Sequence, residues 1–240
     1  MKTLFVCLIA LISSKSFASG WETITGNGNL KKETRQASGY TGVSSSGSMN
    51  VHVAYGNSTS ITVEADENLL PYIETSVENG KLIIKTKKGY NLKSKQKMIV
   101  NVSLTKLTSL SLSGSGNING DGAFSNTGKT EVSISGSGNI KLGFDNISEI
   151  EASISGSGNM DLGGKNCNNI TATISGSGNI DCSSVQVNDV FAKVSGSGNI
   201  KVNTTKSIDA KVSGSGNVYY KGNPNNIVSK ASGSGKVIRM

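Results

Sequence analysis

The stretch Ile134–Ile140, ISGSGNI, recurs unchanged at Ile174–Ile180. Further copies of SGSGN, or of SGSGK in the last case, place their first serine at Ser113, Ser155, Ser195, Ser213 and Ser232. Neighbouring copies are 18 to 22 residues apart, and an altered copy, SGSMN, starts at Ser46. A period near 20 with β-branched residues is typical of one coil of a β-solenoid, and is too short for a propeller blade or a paired-helix repeat.

The aliphatic residues that recur around each copy occupy odd offsets from its first serine. Around Ser175, for example, the residues one, three and five positions earlier are Ile174, Ala172 and Ile170, and the residue five positions later is Ile180. Successive residues of a strand point to opposite faces, so all odd offsets share one face. We therefore predict an all-β, single-stranded parallel β-solenoid whose core consists of ladders of like side chains.

The two glycines of each copy also lie at odd, inward offsets. A closed coil must bend, and glycine removes the side chain inside the bend and tolerates a positive φ. The serines and the asparagine then point outward, where stacked amides can hydrogen-bond along the axis. We interpret this outer polar ladder as structural, and a ligand-binding strip is the alternative. Its members in the regular coils include Ser157, Asn159, Ser177, Asn179, Ser197 and Asn199.

The ends of the chain differ from the repeat. Residues 1–18 combine Lys2, an apolar run and a small-x-small pattern before Ala18, which predicts a cleaved signal peptide and export to the periplasm, the outer surface or the medium. Residues 19–110 are expected to form irregular β-coils and a cap, with a turn at Asn79-Gly80 and a helical turn near Glu67. Residues 111–240 form the regular solenoid. No later segment is apolar enough to span a membrane as a helix.

Three segments carry a resemblance to a known family. GNGNLKKETRQASGYTGVSSSGSMNVHV, ITVEADENLLPYIETSVENGKLIIKTKKG and the recurring SGSGN resemble, in order and composition, the bacterial "putative auto-transporter adhesin, head GIN domain" family. The resemblance runs from about Gly26 to the C-terminus. It implies a right-handed single-stranded β-helix in an exported bacterial protein, and no catalytic residues. The C-terminal KASGSGKVIRM has the pattern of another coil, so we expect no translocator of its own.

Few residues are candidates for chemistry. His52 alternates with Val51 and Val53 and is expected on the solvent face, without partners for metal binding. Cys167 and Cys182 occupy core offsets and are expected to act as small buried hydrophobes, and a disulfide between them is the open alternative. We predict no cofactor and no metal.

Asp161 and Asp181 share one outward offset on neighbouring coils. Two carboxylates about 5 Å apart would match the spacing of a retaining glycosidase. However, Lys141 and Lys201 flank the pair, which predicts an ordinary charge ladder, and no aromatic residue is expected beside it. A carbohydrate-active lyase or hydrolase is therefore the alternative to a non-enzymatic protein.

The remaining signal is positive charge. The net charge is +8 overall and +6 without Lys2 and Lys15. Residues 81–106 contain no acid but hold Lys106 and a further set, namely Lys81, Lys85, Lys87, Lys88, Lys93, Lys95 and Lys97. They predict either a solvated edge that resists aggregation or a surface for anionic glycans or lipid headgroups. Nucleic acid is not expected, because few aromatics could stack on bases. We predict an exported adhesin or envelope-binding protein, with a purely structural envelope module as a further alternative.

Overall fold

Successive copies of the repeat lie directly above one another in the computed structural model, which describes residues 20–56 and 60–240. Ser135 pairs with Ser155, Ser155 with Ser175, and Ser175 with Ser195, all in parallel register. The stack is a β-solenoid of about 7 turns, so the predicted fold class is confirmed. The predicted signal peptide, residues 1–18, lies outside the described residues.

One long bent strand forms nearly all of each regular coil, and short strands build the two ends. The strands are β1 (Glu22–Thr25), β2 (Leu30–Gln36), β3 (Gly42–Gly47), β4 (Asn50–Tyr55), β5 (Ser60–Asp66), β6 (Ile73–Glu78), β7 (Lys81–Thr86), β8 (Tyr90–Lys93), β9 (Ile99–Leu104), β10 (Ser109–Gly114), β11 (Asn117–Gly136), β12 (Asn139–Gly156), β13 (Asn159–Gly176), β14 (Asn179–Gly196), β15 (Asn199–Gly214), β16 (Asn217–Lys221), β17 (Asn226–Gly233) and β18 (Lys236–Arg239). A 3₁₀ helix, Glu67–Tyr72, follows β5.

The core is a set of aliphatic ladders, as the odd offsets predict. Ile154, Ile174 and Val194 stack in register and are at most 2% exposed. Each coil therefore buries its inward side chains against the coils above and below it. A single coil cannot bury its inward side chains by itself. Neighbouring coils therefore stabilise one another through these ladders.

The glycines of the repeat have two separate roles at the corner of each coil. Gly136, the first glycine of its copy, has φ +128°, which is unfavourable for a residue with a side chain. Gly138, the second, lies so close to the preceding coil that a Cβ there would be 2.6 Å from Cδ2 of Leu112. Together they let the backbones of neighbouring coils approach closely at the bend.

The N-terminal strands extend the same stack and cover its first coil. The altered copy joins it directly, because Ser46 pairs with Ser113 although 67 residues separate them. Antiparallel pairs flank this end: β2 with β5, β5 with β9, and β6 with β7. The turn between β6 and β7 has positive φ at Asn79 and Gly80, so the predicted turn is confirmed. The helical turn expected near Glu67 is the 3₁₀ helix.

The C-terminal end of the described chain is more exposed. β17 pairs with β15 and β18 with β16, and every residue of β17 is exposed. Here polar residues replace the core pattern: Ser229 takes the position of Ala210, and Arg239 that of Tyr220. The last coil is thus more polar than the coils beneath it.

Candidate functional site

The seven lysines predicted to bind anions lie on β7, β8 and the loops that follow them. We call this set (Lys81, Lys85, Lys87, Lys88, Lys93, Lys95 and Lys97) the N-terminal lysine cluster. All are exposed except Lys85, which is half-buried. Its positive charge is therefore presented to solvent at the N-terminal end of the stack.

Two acidic residues of β6 lie beside this cluster. They precede residue 81 in the chain, so the acid-free stretch 81–106 does not predict them. The antiparallel pairing places Glu74 opposite Lys85 and Glu78 opposite Lys81. The Nζ of Lys85 lies 3.9 Å from a carboxylate oxygen of Glu74. Acidic neighbours thus lie beside the β7 lysines, and the charge of the cluster is concentrated on the lysines after β7.

Aromatic side chains border the cluster. A surface groove of about 410 Å³ is lined by Trp21, Tyr90, Lys85 and Lys88, among others. Trp21 is 67% exposed, which is unusual for an indole. The combination of an exposed apolar ring with ammonium groups was not foreseen from the sequence, because Trp21 is 64 residues from Lys85.

Asp66 holds the loop that carries Lys95. Its carboxylate is fully buried and accepts hydrogen bonds from the Ser94 hydroxyl (2.6 Å) and from the backbone N–H groups of Gly28, Lys95 and Gln96. Burial alone would raise the pKa of Asp66, but these hydrogen bonds outweigh it and lower the pKa to about 2. Asp66 therefore fixes the backbone beneath part of the cluster.

The outer polar ladder lies where the sequence places it. Asn159 donates to Asn139, Asn179 to Asn159, and Asn199 to Asn179, over amide-to-amide distances of 2.9 to 3.0 Å. The row continues to Asn50 at one end and Asn217 at the other. Each of these donations uses one of the two N–H groups of an amide, so the ladder stabilises the stack and still has donors for a ligand.

The charge row beside the ladder forms as predicted. Lys141 lies opposite Asp161, and Asp181 lies between Asp161 and Lys201. The nearest lysine-to-carboxylate distances are 3.4 Å for Lys141–Asp161 and 3.8 Å for Lys201–Asp181. Asp181 also accepts hydrogen bonds from the backbone N–H and the hydroxyl of Ser183.

Asp161 and Asp181 pair with each other and with lysines, and an aromatic residue lies two coils beyond Asp181 on the same row. Tyr219 pairs with Lys201 and therefore continues their row. Two adjoining grooves of about 440 and 660 Å³ share Asn179 and Asp181, and Tyr219 lines the larger one. The fold thus places a carboxylate, amides, a lysine and a phenol ring around one hollow.

His52, Cys167 and Cys182 lie at the positions that the sequence predicts for them. His52 lies on the outer face of β4, half-buried, between the rows of Asn101 and Asn119. Cys167 and Cys182 are buried free thiols, so the open alternative of a disulfide is not realised. Burial raises the pKa of the Cys167 thiol to about 11, despite hydrogen bonding to backbone oxygens, and raises the pKa of Cys182 further. Such thiols are poor nucleophiles at neutral pH.

The described residues form neither a metal-binding cluster nor a helix that could span a membrane. Residues 20–56 and 60–240 contain no group of three or more His, Cys, Asp or Glu side chains placed to hold a metal ion. Within the same ranges, no helix has the length and apolar character needed to cross a membrane.

Comparison with protein families agrees with this geometry. The model of the family described as "Putative auto-transporter adhesin, head GIN domain" matches residues 39–224, which include the altered copy at Ser46 and the regular coils up to β16. The chain belongs to this family. No protein with a curated description matches the chain.

Solved structures of other proteins share the fold. A putative adhesin from Bacteroides fragilis NCTC 9343 superposes with a TM-score of 0.82 at 22% identity, covering 90% of this chain and all of the other. A putative lipid binding protein from Parabacteroides distasonis ATCC 8503 gives 0.71 at 28% identity, covering 91% and 100%. A putative adhesin from Parabacteroides merdae ATCC 43184 gives 0.69 at 26% identity, covering 91% and 99%. The solenoid architecture is therefore shared at low identity.

Proposed function

We propose that this head GIN domain protein is exported and acts without catalysis, by attaching to anionic groups on an envelope surface through the N-terminal lysine cluster. The observation that carries the proposal is the placement of the exposed Trp21 beside Lys85 and Lys88 in one groove. Indole rings and lysines are the side chains that favour the boundary between water and lipid headgroups or anionic polymers.

The number of exposed lysines in the cluster supports attachment to an anionic surface rather than to a single small anion. A lysine near an anionic membrane contributes about 1 kcal/mol. The exposed lysines after β7 could add such contributions, because Asp66 fixes the backbone of Lys95 and the parallel pairing of β8 with β1 positions Lys93. Proteins of similar structure are named as an adhesin and as a lipid binding protein, and both names are consistent with a binding role.

The test replaces Lys85, Lys87, Lys88, Lys93, Lys95 and Lys97 by Gln and measures co-sedimentation with phosphatidylglycerol vesicles and retention on immobilised polygalacturonate. The control replaces Lys32, Lys129, Lys165, Lys206, Lys221 and Lys236 by Gln; these lysines lie outside the cluster, and their loss changes the net charge equally. We expect the cluster variant to bind at least about 100-fold more weakly to the matching surface at low salt, with an unchanged melting temperature.

The two surfaces distinguish the source of the anionic group. Loss confined to vesicles assigns the cluster to lipid headgroups, and loss confined to the polymer assigns it to glycans. Equal losses in the cluster variant and its control, or binding that does not weaken as salt rises, would overturn the proposal, because exposed charge interactions are screened by salt.

One observation favours the alternative function of a carbohydrate-active enzyme. Tyr219 lines the groove that also contains Asp181, and an aromatic ring can stack on a sugar. Against it, the carboxylates of Asp161 and Asp181 each face a lysine, and both side chains are substantially exposed to solvent. A glycosidase needs one carboxyl group that holds its proton. The arrangement therefore suits sugar binding better than acid catalysis.

A further inference from the structure

Three lysines stack in register on the C-terminal coils. Lys193 on β14 lies opposite Lys211 on β15, and Lys211 lies opposite Lys230 on β17. Parallel neighbours are about 4.8 Å apart, so three ammonium-bearing side chains leave the stack along one line. We call these three residues the lysine ladder. On the coil before it, the same row holds Thr173.

The ladder contrasts with the charged rows of the other coils. There, lysines lie beside acids of the neighbouring coil, as in Lys141–Asp161 (3.4 Å) and Lys165–Asp145 (2.8 Å). Like charges directly opposite each other on adjacent strands are destabilising. The ladder thus carries a repulsive cost that the Lys141–Asp161 and Lys165–Asp145 pairs do not.

The C-terminal coils contain few acidic residues that could neutralise the lysine ladder. Residues 193–240 include a single acid, Asp209, and eight basic residues, giving a net charge of +7. Asp209 lies 3.4 Å from Lys211. Within the described residues, Lys193 and Lys230 have no acid within ion-pair distance, so an external anion can stabilise the row.

The surroundings of the ladder provide a binding groove. A hollow of about 270 Å³ runs across the coils between the three lysines and is also lined by Ser213 and Ser232, which are neighbours in register. The ammonium of Lys211 is 4.9 Å from the centre of the Phe191 ring, a cation–π contact that restrains it. The groove therefore combines a row of cations with hydroxyl groups.

We propose that the lysine ladder binds a linear anionic glycan, with the polymer running along the solenoid axis and each coil contributing one ammonium group. A single exposed lysine binds an anion weakly in water, whereas a row that contacts successive charges of one polymer gains affinity by multivalency. The serine hydroxyls suit the hydroxyl groups of a sugar chain. This site is separate from the N-terminal lysine cluster and does not depend on the function proposed for it.

The test compares two triple variants in a background whose N-terminal lysine cluster is already replaced by Gln. The ladder variant is Lys193→Gln, Lys211→Gln and Lys230→Gln. The matched control is Lys206→Gln, Lys221→Gln and Lys236→Gln, which removes the same charge from the same end, off the row. The probe is polygalacturonate, with monomeric galacturonate, phosphatidylglycerol vesicles and single-stranded DNA as competing ligand classes.

We expect the ladder variant to bind polygalacturonate at least tenfold more weakly than its parent, and the control less than threefold. Polymer should protect Lys193, Lys211 and Lys230 of the wild type from acetylation, and leave Lys165 reactive. At low salt and without polymer, the ladder variant should melt above its parent, because repulsion is removed, and the difference should vanish at high salt.

Three results would overturn the proposal. Equal losses in the two triple variants would mean that binding follows net charge alone. Equal affinity per sugar for galacturonate and its polymer would show that the three lysines do not contact one polymer together. Ladder-dependent binding of vesicles or DNA without binding of polygalacturonate would replace the glycan by another class of polyanion.

Discussion

Asp66 and Ser94 lie 2.6 Å apart across the N-terminal end of the stack, with the serine hydroxyl donating to a fully buried carboxylate. Because three backbone N–H groups donate to the same carboxylate, Asp66 joins two loops through its negative charge. Asp66→Asn should destabilise the protein by about 1–3 kcal/mol at neutral pH, since an amide cannot accept all four donors. Urea unfolding measures this, with the exposed Asp121→Asn as a control that should change stability by less than about 0.5 kcal/mol.

The same carboxylate predicts a pH dependence. The folded state lowers the pKa of Asp66 from 3.8 to about 2, so its contribution is complete above about pH 4 and is lost as the pH falls towards 2. The difference in stability between wild type and Asp66→Asn should therefore shrink over this range. A difference that stays constant from pH 6 to pH 2 would contradict the assignment.

The core ladder can be tested at Ile174, which is fully buried between Ile154 and Val194. Ile174→Asp should cost about 4 kcal/mol or more, because it buries an unpaired charge. Asn179→Ala removes exposed amide hydrogen bonds and should cost about 1 kcal/mol. Thermal melts of the two variants decide the matter, and similar melting temperatures would disprove the division into inner and outer faces.

The corner of the coil can be tested with two glycines of β13. Gly176 has φ +131°, and a Cβ there would be 3.1 Å from the backbone nitrogen of Gly156. Gly176→Ala should cost at least about 2 kcal/mol. Gly163→Ala is the control, because its nearest neighbour would be the Ser184 hydroxyl at an ordinary 3.5 Å. Equal effects of the two substitutions on the melting temperature would show that the corner needs no glycine.

Catalysis is tested at Asp161 and Asp181. We expect the wild type to release neither reducing ends nor unsaturated products from acidic or neutral polysaccharides. We also expect the double variant Asp161→Asn, Asp181→Asn to retain glycan binding, because the binding surfaces proposed above consist of lysines and include neither aspartate. Turnover by the wild type that disappears in the double variant would make this pair the active site.

The regular coils could be predicted from the sequence because their interactions are periodic. Each coil contacts copies of itself, so the parity of the aliphatic residues around each copy predicts which of them are buried, and the repeat spacing determines which residues are opposite. The buried Ile147, Cys167 and Val187 lie at an even offset and follow the spacing but not the parity. The stacking of Ile154 on Ile174, the Asn159–Asn179 hydrogen bond and the Lys141–Asp161 pair all follow from this regularity.

The candidate sites depended on contacts that the repeat does not encode. The antiparallel pairing of β6 with β7 sets Glu74 beside Lys85, and a groove unites Trp21 with Lys88. In the regular coils, the position of Tyr219 beside Lys201 follows from an 18-residue step between copies. The sequence by itself determined the solenoid, because a periodic backbone has one way to bury its periodic face. Only the tertiary structure decided the N-terminal groove, because it combines residues distant in the chain that no period relates.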